Sequence, residues 1–229
     1  MISHKYRCIF IHIPKTAGTS IERALGHLDG YTEREGQDHR SLRMIEQPFP
    51  QLAAFSSKEN ILEIARIVRY RFRSQKNPNN KITVTADQYQ DYFKFTVVRN
   101  PWARAYSWYK NVMRDDIHRQ SYGITREISF KQFLTDFGGK GMLKPQTYWI
   151  KNFKGEILLD YICRFESLED DFAEVCRRMG IEPPPLPHEI QGPSSNYQEA
   201  YDSETVDMVR TLYGEEITLF KYEFDAETA

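Results

Sequence analysis

Two short apolar runs, Cys8–Ile13 and Phe93–Val98, interrupt a chain that is otherwise polar or helix-patterned. Each is too short for a helix and rich in β-branched or aromatic residues, so each predicts a buried parallel strand. Each leads through a polar turn into a helix. The first helix starts in Ser20–Leu25, and the second opens at Pro101, where proline suits the first helical position. Leu42–Glu46 predicts a short helix broken by Gln47-Pro48-Phe49-Pro50. Over residues 58–73, Ile61, Ile64, Ala65, Val68 and Phe72 fall at helical spacing. The opposite face is basic, with Lys58, Arg66, Arg69, Arg71 and Arg73, followed by Lys76 and Lys81. Ser167–Met179, stopped by Gly180, puts Leu168, Phe172, Val175, Cys176 and Met179 on one face, and helical patterns at Ser203–Leu212 and Glu215–Tyr222 close the chain. Strands alternating with helices predict an α/β fold with a central parallel sheet flanked by helices.

Length changes this picture little: 229 residues suit one domain over 1–229, with 180–229 as a C-terminal loop and helices. Three cysteines, Cys8, Cys163 and Cys176, are odd in number, and two of them sit in apolar runs. They read as reduced core thiols. No run is apolar enough for a signal region or a membrane span, which fits a cytoplasmic enzyme. The net charge of −1 conceals an asymmetry. From Glu156 onward 18 acidic residues face 5 basic ones, whereas the preceding residues carry 26 basic and 14 acidic. A positive field over the first part would concentrate a polyanion, although two oppositely charged halves also pair with each other.

The turn after the first run reads Pro14-Lys15-Thr16-Ala17-Gly18-Thr19-Ser20. It brings backbone N–H groups, three hydroxyls and one ammonium to a helix start, which is what a bound phosphate requires. Lys15 precedes the glycine, whereas G-x-x-x-x-G-K-[ST] places the lysine after its second glycine, so this is a different phosphate loop. The second strand ends in Arg99, where a nucleotide kinase would place an acid to organise Mg²⁺. A cation there suits a second phosphate, and Ser107 lies eight residues on, along the following helix.

These two stretches together resemble the sulfotransferases that use PAPS, 3′-phosphoadenosine 5′-phosphosulfate. The closest likeness is to the short soluble relatives of the Golgi carbohydrate sulfotransferases. Ile162–Leu168 is similar to that family's late strand and helix start, while residues 45–92 match loosely and read as a family-variable insertion. The resemblance implies a single P-loop-like domain that moves a sulfuryl group directly to an acceptor hydroxyl, on a carbohydrate, leaving adenosine 3′,5′-bisphosphate. Pro14, Lys15, Thr16, Ala17, Gly18, Thr19 and Ser20 would hold the 5′-phosphosulfate, and Arg99 and Ser107 the 3′-phosphate. Lys15 would follow charge onto the bridging oxygen. Ser194 and Ser195 resemble a late loop near the nucleotide, and Gln146 lies where related enzymes meet the acceptor. No metal and no nucleic-acid partner is expected.

An attacking hydroxyl must lose a proton, and a neutral imidazole is a suitable base. Among six histidines, His39 is the candidate: it follows the first helix by a loop and precedes a short helix. His12, in a buried strand, reads first as a satisfied core histidine and second as an alternative base. His188 sits near the late loop. Two other classes stay open: an ATP-dependent kinase of P-loop type, and a nucleotide- or glycan-binding protein without catalysis.

Overall fold

The computed structural model describes residues 1–31, 36–46, 52–187 and 196–224. Four strands make one sheet in the order β1 (Ile2–Ser3), β2 (Cys8–Ile11), β3 (Phe93–Val98) and β4 (Tyr161–Arg164). The last three are parallel, with Phe10 opposite Phe95 and Val97 opposite Cys163. Residues 1–7 fold back so that Ile2 pairs with Ile9 in antiparallel sense. A two-residue strand carries too little alternation to be read from sequence.

Because side chains alternate along a strand, the sheet buries two separate cores. Cys8, Phe10, Phe95, Val97 and Cys163 face one side, against Ile21 of α1 (Gly18–Ala24) and Phe172, Val175 and Cys176 of α9 (Leu168–Met179). Ile9, Ile11 and Val98 face the other, against Trp102, Ala105, Trp108 and Val112 of α5 (Pro101–Arg114). That second core also takes residues from α2 (Leu42–Ile45), α7 (Phe130–Phe137), α8 (Gln146–Ile150), α10 (Ser203–Leu212) and α11 (Gly214–Phe220). The predicted α/β architecture, a mainly parallel sheet flanked by helices, is therefore present. Gly180 ends α9 in the left-handed conformation, at φ 69°, that favours glycine. All three cysteines are buried free thiols, and burial pushes Cys8 up to about 12, so it is inert at neutral pH.

The described part of the segment 45–92 departs from its sequence pattern. It holds α3 (Lys58–Phe72) and α4 (Ala86–Asp91), the latter opened by a Thr85/Gln88 capping box. The breaker expected at 47–50 lies outside the described residues. In α3 the buried residues are polar, Asn60 and Glu63, while Ile61, Val68 and Phe72 are 53%, 52% and 84% exposed. The cause is hydrogen bonding. Asn60 accepts from Arg43 and donates to the Phe153 carbonyl, and Glu63 accepts from the hydroxyls of Ser41 and Tyr148, so the polar side turns inward. After α5 comes α6 (Asp116–Ser121), capped by Asp115. Among the described residues no helix is long and apolar enough to cross a membrane.

Candidate active site

The loop between β2 and α1 is held in an unusual backbone shape. Lys15 and Ala17 both adopt left-handed conformations, φ 69° and 61°, each costing about 1–2 kcal/mol for a residue with a Cβ. The surroundings enforce it. Thr16 Oγ1 donates to the Ile13 carbonyl (2.9 Å), Arg104 Nε to the Pro14 carbonyl (3.0 Å) and Arg99 Nη1 to the Lys15 carbonyl (3.2 Å). Arg104 is fully buried and also donates to the carbonyls of Met142 and Lys144. The Thr16 hydroxyl is thus already used, whereas those of Thr19, Ser20 and Ser107 make no hydrogen bond among the described residues.

Gly18 is required for a packing reason. A Cβ there would lie 2.0 Å from His12 Cδ2 and 2.4 Å from its Nε2. His12 sits beneath the loop, with Nδ1 3.1 Å from Glu22 Oε1, and both residues are buried. Overpacking costs about 1–3 kcal/mol, so Gly18→Ala should lower the unfolding free energy from chemical denaturation by that much. Paired with His12→Ala, the loss should largely disappear, and a double-mutant cycle in urea reads the coupling.

The second motif is assembled around Arg99. Asn100 caps α5, its side chain accepting from the N–H groups of Trp102 (3.0 Å) and Ala103 (3.3 Å), with Pro101 at the first helical position. Glu166 Oε1 accepts from the Asn100 N–H (2.7 Å), and Gln146 Oε1 accepts from the Arg99 N–H (2.8 Å). Gln146 also donates to the Arg99 carbonyl (2.9 Å) and to Glu216 Oε1 (2.9 Å), and it is fully buried. Gln146, placed by sequence at the acceptor, has its amide engaged by the backbone of Arg99 and by the Glu216 carboxylate. The guanidinium lies 4.0 Å over the Phe165 ring, and its Nε is buried with no hydrogen-bond partner among the described residues. Among the described residues no carboxylate forms an ion pair with Arg99 or Lys15, and Arg99 depresses the Lys15 ammonium. Burial, then Arg99, lowers Lys15 to about 8, and burial lowers Arg99 to about 10 despite Glu166 nearby. An anion at this point would relieve both.

His39 stands beside the loop: its ring centroid is 4.2 Å from that of His12, and its Nδ1 is 3.2 Å from the His12 carbonyl. A carbonyl only accepts, so Nδ1 carries the proton and Nε2 keeps its lone pair. Burial, then the neighbouring His12, lowers His39 to about 3, and burial lowers His12 to about 3, so both rings are neutral. Asp38, adjacent in sequence, does not orient the ring. Its two oxygens take the guanidinium of Arg40, at 2.6–3.0 Å, and although burial opposes ionisation that partner keeps the carboxyl well below its usual range.

Several residues here carried no sequence signal of their own. Glu22, fully buried and raised in pKa by that burial, is legible only as the partner four positions beyond Gly18 on one helix face. Arg66 donates to the His39 carbonyl (3.3 Å) and the Tyr148 hydroxyl (3.1 Å), contacts that span 27 and 82 residues. Ser107 lies partly exposed on α5. His188, Ser194 and Ser195 fall outside the described residues.

The profile of the Sulfotransferase family matches residues 1–223. The chain belongs to that family. A relative from Archaeoglobus fulgidus, described as an uncharacterized protein, is 27% identical to this sulfotransferase over 95 residues, covering 41% of this chain and 72% of its own length. No solved structure matches.

Proposed function

We propose that this sulfotransferase moves the sulfuryl group of PAPS to a hydroxyl on a carbohydrate acceptor by direct in-line transfer, leaving adenosine 3′,5′-bisphosphate. The observation that carries the reading is the pair of cations Lys15 and Arg99, linked through the Lys15 carbonyl and unpaired by any described carboxylate, with a buried Arg99 Nε still lacking a described acceptor. PAPS supplies two separated anionic groups and a sulfuryl on a good leaving group. Lys15 and the loop from Pro14 to Ser20 take the 5′ end, with the free hydroxyls of Thr19 and Ser20 as donors. Arg99 and Ser107 take the 3′-phosphate, and Ser194 and Ser195 are assigned to the same nucleotide. His39 accepts the acceptor's proton at Nε2, and Lys15 compensates charge arriving on the leaving phosphate. Gln146 serves as a positioning residue for Arg99. The reading takes residues 1–229 as one domain in a cytoplasmic protein, which buried free thiols suit.

The test is calorimetric titration of adenosine 3′,5′-bisphosphate without metal, alongside ATP with Mg²⁺. The bisphosphate should bind more tightly, and Arg99→Ala should weaken it by about 1.5–3 kcal/mol, the loss of a charge-assisted hydrogen bond. Preference for ATP with Mg²⁺, or indifference to Arg99, would refute the assignment in favour of a kinase-like nucleotide site.

A further inference from the structure

The outer face of α3 is built unlike the rest of the surface. Ile61, Ala65, Val68 and Phe72, spaced four, three and four, form one exposed stripe, and Lys58, Leu62, Arg69 and Arg73 form the row beside it. The short helical turn Leu52–Phe55 packs against α3 and adds Leu52 and Phe55, 91% and 65% exposed. Among the described residues the other exposed large apolar side chains, such as Ile117, Leu158 and Leu219, are scattered over separate elements. Contiguous apolar surface of this kind marks an interaction site.

From these features we infer that the outer face of α3 docks on an anionic phospholipid bilayer. The occupant follows from the two chemistries lying side by side. Arg69 and Arg73 pair with no carboxylate among the described residues, and the one acid in the first turn, Glu59, is taken by Arg43 at 2.7 Å. A second copy of the chain, meeting this face with its own, would set arginines against arginines. A free acidic polymer would satisfy the cations and leave Phe72 and Val68 in water. A leaflet bearing anionic headgroups offers phosphates to the arginine row and the acyl boundary to the apolar stripe. The inner side of the same helix holds Arg66 against the His39 carbonyl (3.3 Å), so docking would bring the His39 loop to the headgroup layer. The inference concerns the surface alone and stands whatever group the site transfers.

Vesicle flotation with the full chain tests it, using phosphatidylcholine alone and an equal mixture with phosphatidylglycerol. The wild type should float with the mixed vesicles at low salt and not with the neutral ones, and should be released as salt is raised. Val68→Ser with Phe72→Ser, and separately Arg69→Glu with Arg73→Glu, should each cut binding by about tenfold or more. Because these side chains are exposed, both double variants should keep the wild-type thermal midpoint. A wild type that stays unbound to mixed vesicles at low salt overturns the inference, as does wild-type binding by the apolar variant. A wild-type dimer that Phe72→Ser converts to a monomer also overturns it, assigning the face to a second copy.

Discussion

His39→Asn should lower the rate of bisphosphate release in the presence of acceptor by about 10²–10⁴-fold, the usual contribution of a positioned base. Affinity for adenosine 3′,5′-bisphosphate should stay near that of the wild type. The split follows from geometry. The His39 ring is fixed through Nδ1 on the His12 carbonyl, which leaves Nε2 as its one basic atom, and among the described residues no hydrogen bond joins the ring to Lys15 or Arg99. Asparagine preserves a donor toward that carbonyl but has no basic nitrogen. With a free-protein pKa of about 3, the imidazole is neutral across the working range, so kcat/KM should show no acid limb near pH 6.5. If His12→Asn reduced turnover and His39→Asn did not, the two rings would exchange roles.

Lys15→Ala should reduce turnover by about 10²–10³-fold, as removal of a donor aimed at developing negative charge does elsewhere. It should also erase a pH dependence that the wild type displays. Burial and Arg99 hold the Lys15 ammonium at about 8 in the free protein, well below an ordinary lysine. The ligand is anionic and prefers the protonated form, so affinity is full below this value and is lost as pH rises through it. One linked proton gives about a tenfold fall per pH unit above that point. Calorimetry from pH 7.5 to 9.5, above the second phosphate pKa of about 6, should trace this limb in the wild type, and the alanine variant should give a nearly flat profile over the same range. A wild-type profile flat through pH 9.5 would mean that Lys15 is not at the ligand.

The place of the loop from Pro14 to Ser20 between a strand and a helix was legible because the segment leaves a mark in residue type: one lysine, one glycine and three hydroxyls between two apolar patterns. The place of Arg99 was legible in the same way, as a cation at a strand end with Asn100-Pro101 opening the next helix. What sequence could not supply was direction. The spacing of Ile61, Ala65, Val68 and Phe72 says that α3 has an apolar stripe, but the side facing the protein is chosen by Asn60 and Glu63. Their partners Phe153 and Tyr148 lie 93 and 85 residues away. Gln146 shows the same limit, since the bonds to Arg99 and Glu216 that commit its amide span 47 and 70 residues. Asp38 is the converse case: adjacent to His39 in the chain, it turns toward Arg40.

The loop from Pro14 to Ser20 and the start of α5 do not behave as independent parts. Arg99 and Arg104 grip the carbonyls of Lys15 and Pro14, and the strands that carry the two segments are hydrogen-bonded neighbours. Together they act as a caliper with its jaws locked. A ligand that reaches both cations must match a preset span, and one whose anionic groups are closer or farther apart forfeits one contact instead of pulling the jaws to fit. For the proposed ligand, selectivity would then be a measurement of length, set by guanidinium bonds to main-chain carbonyls.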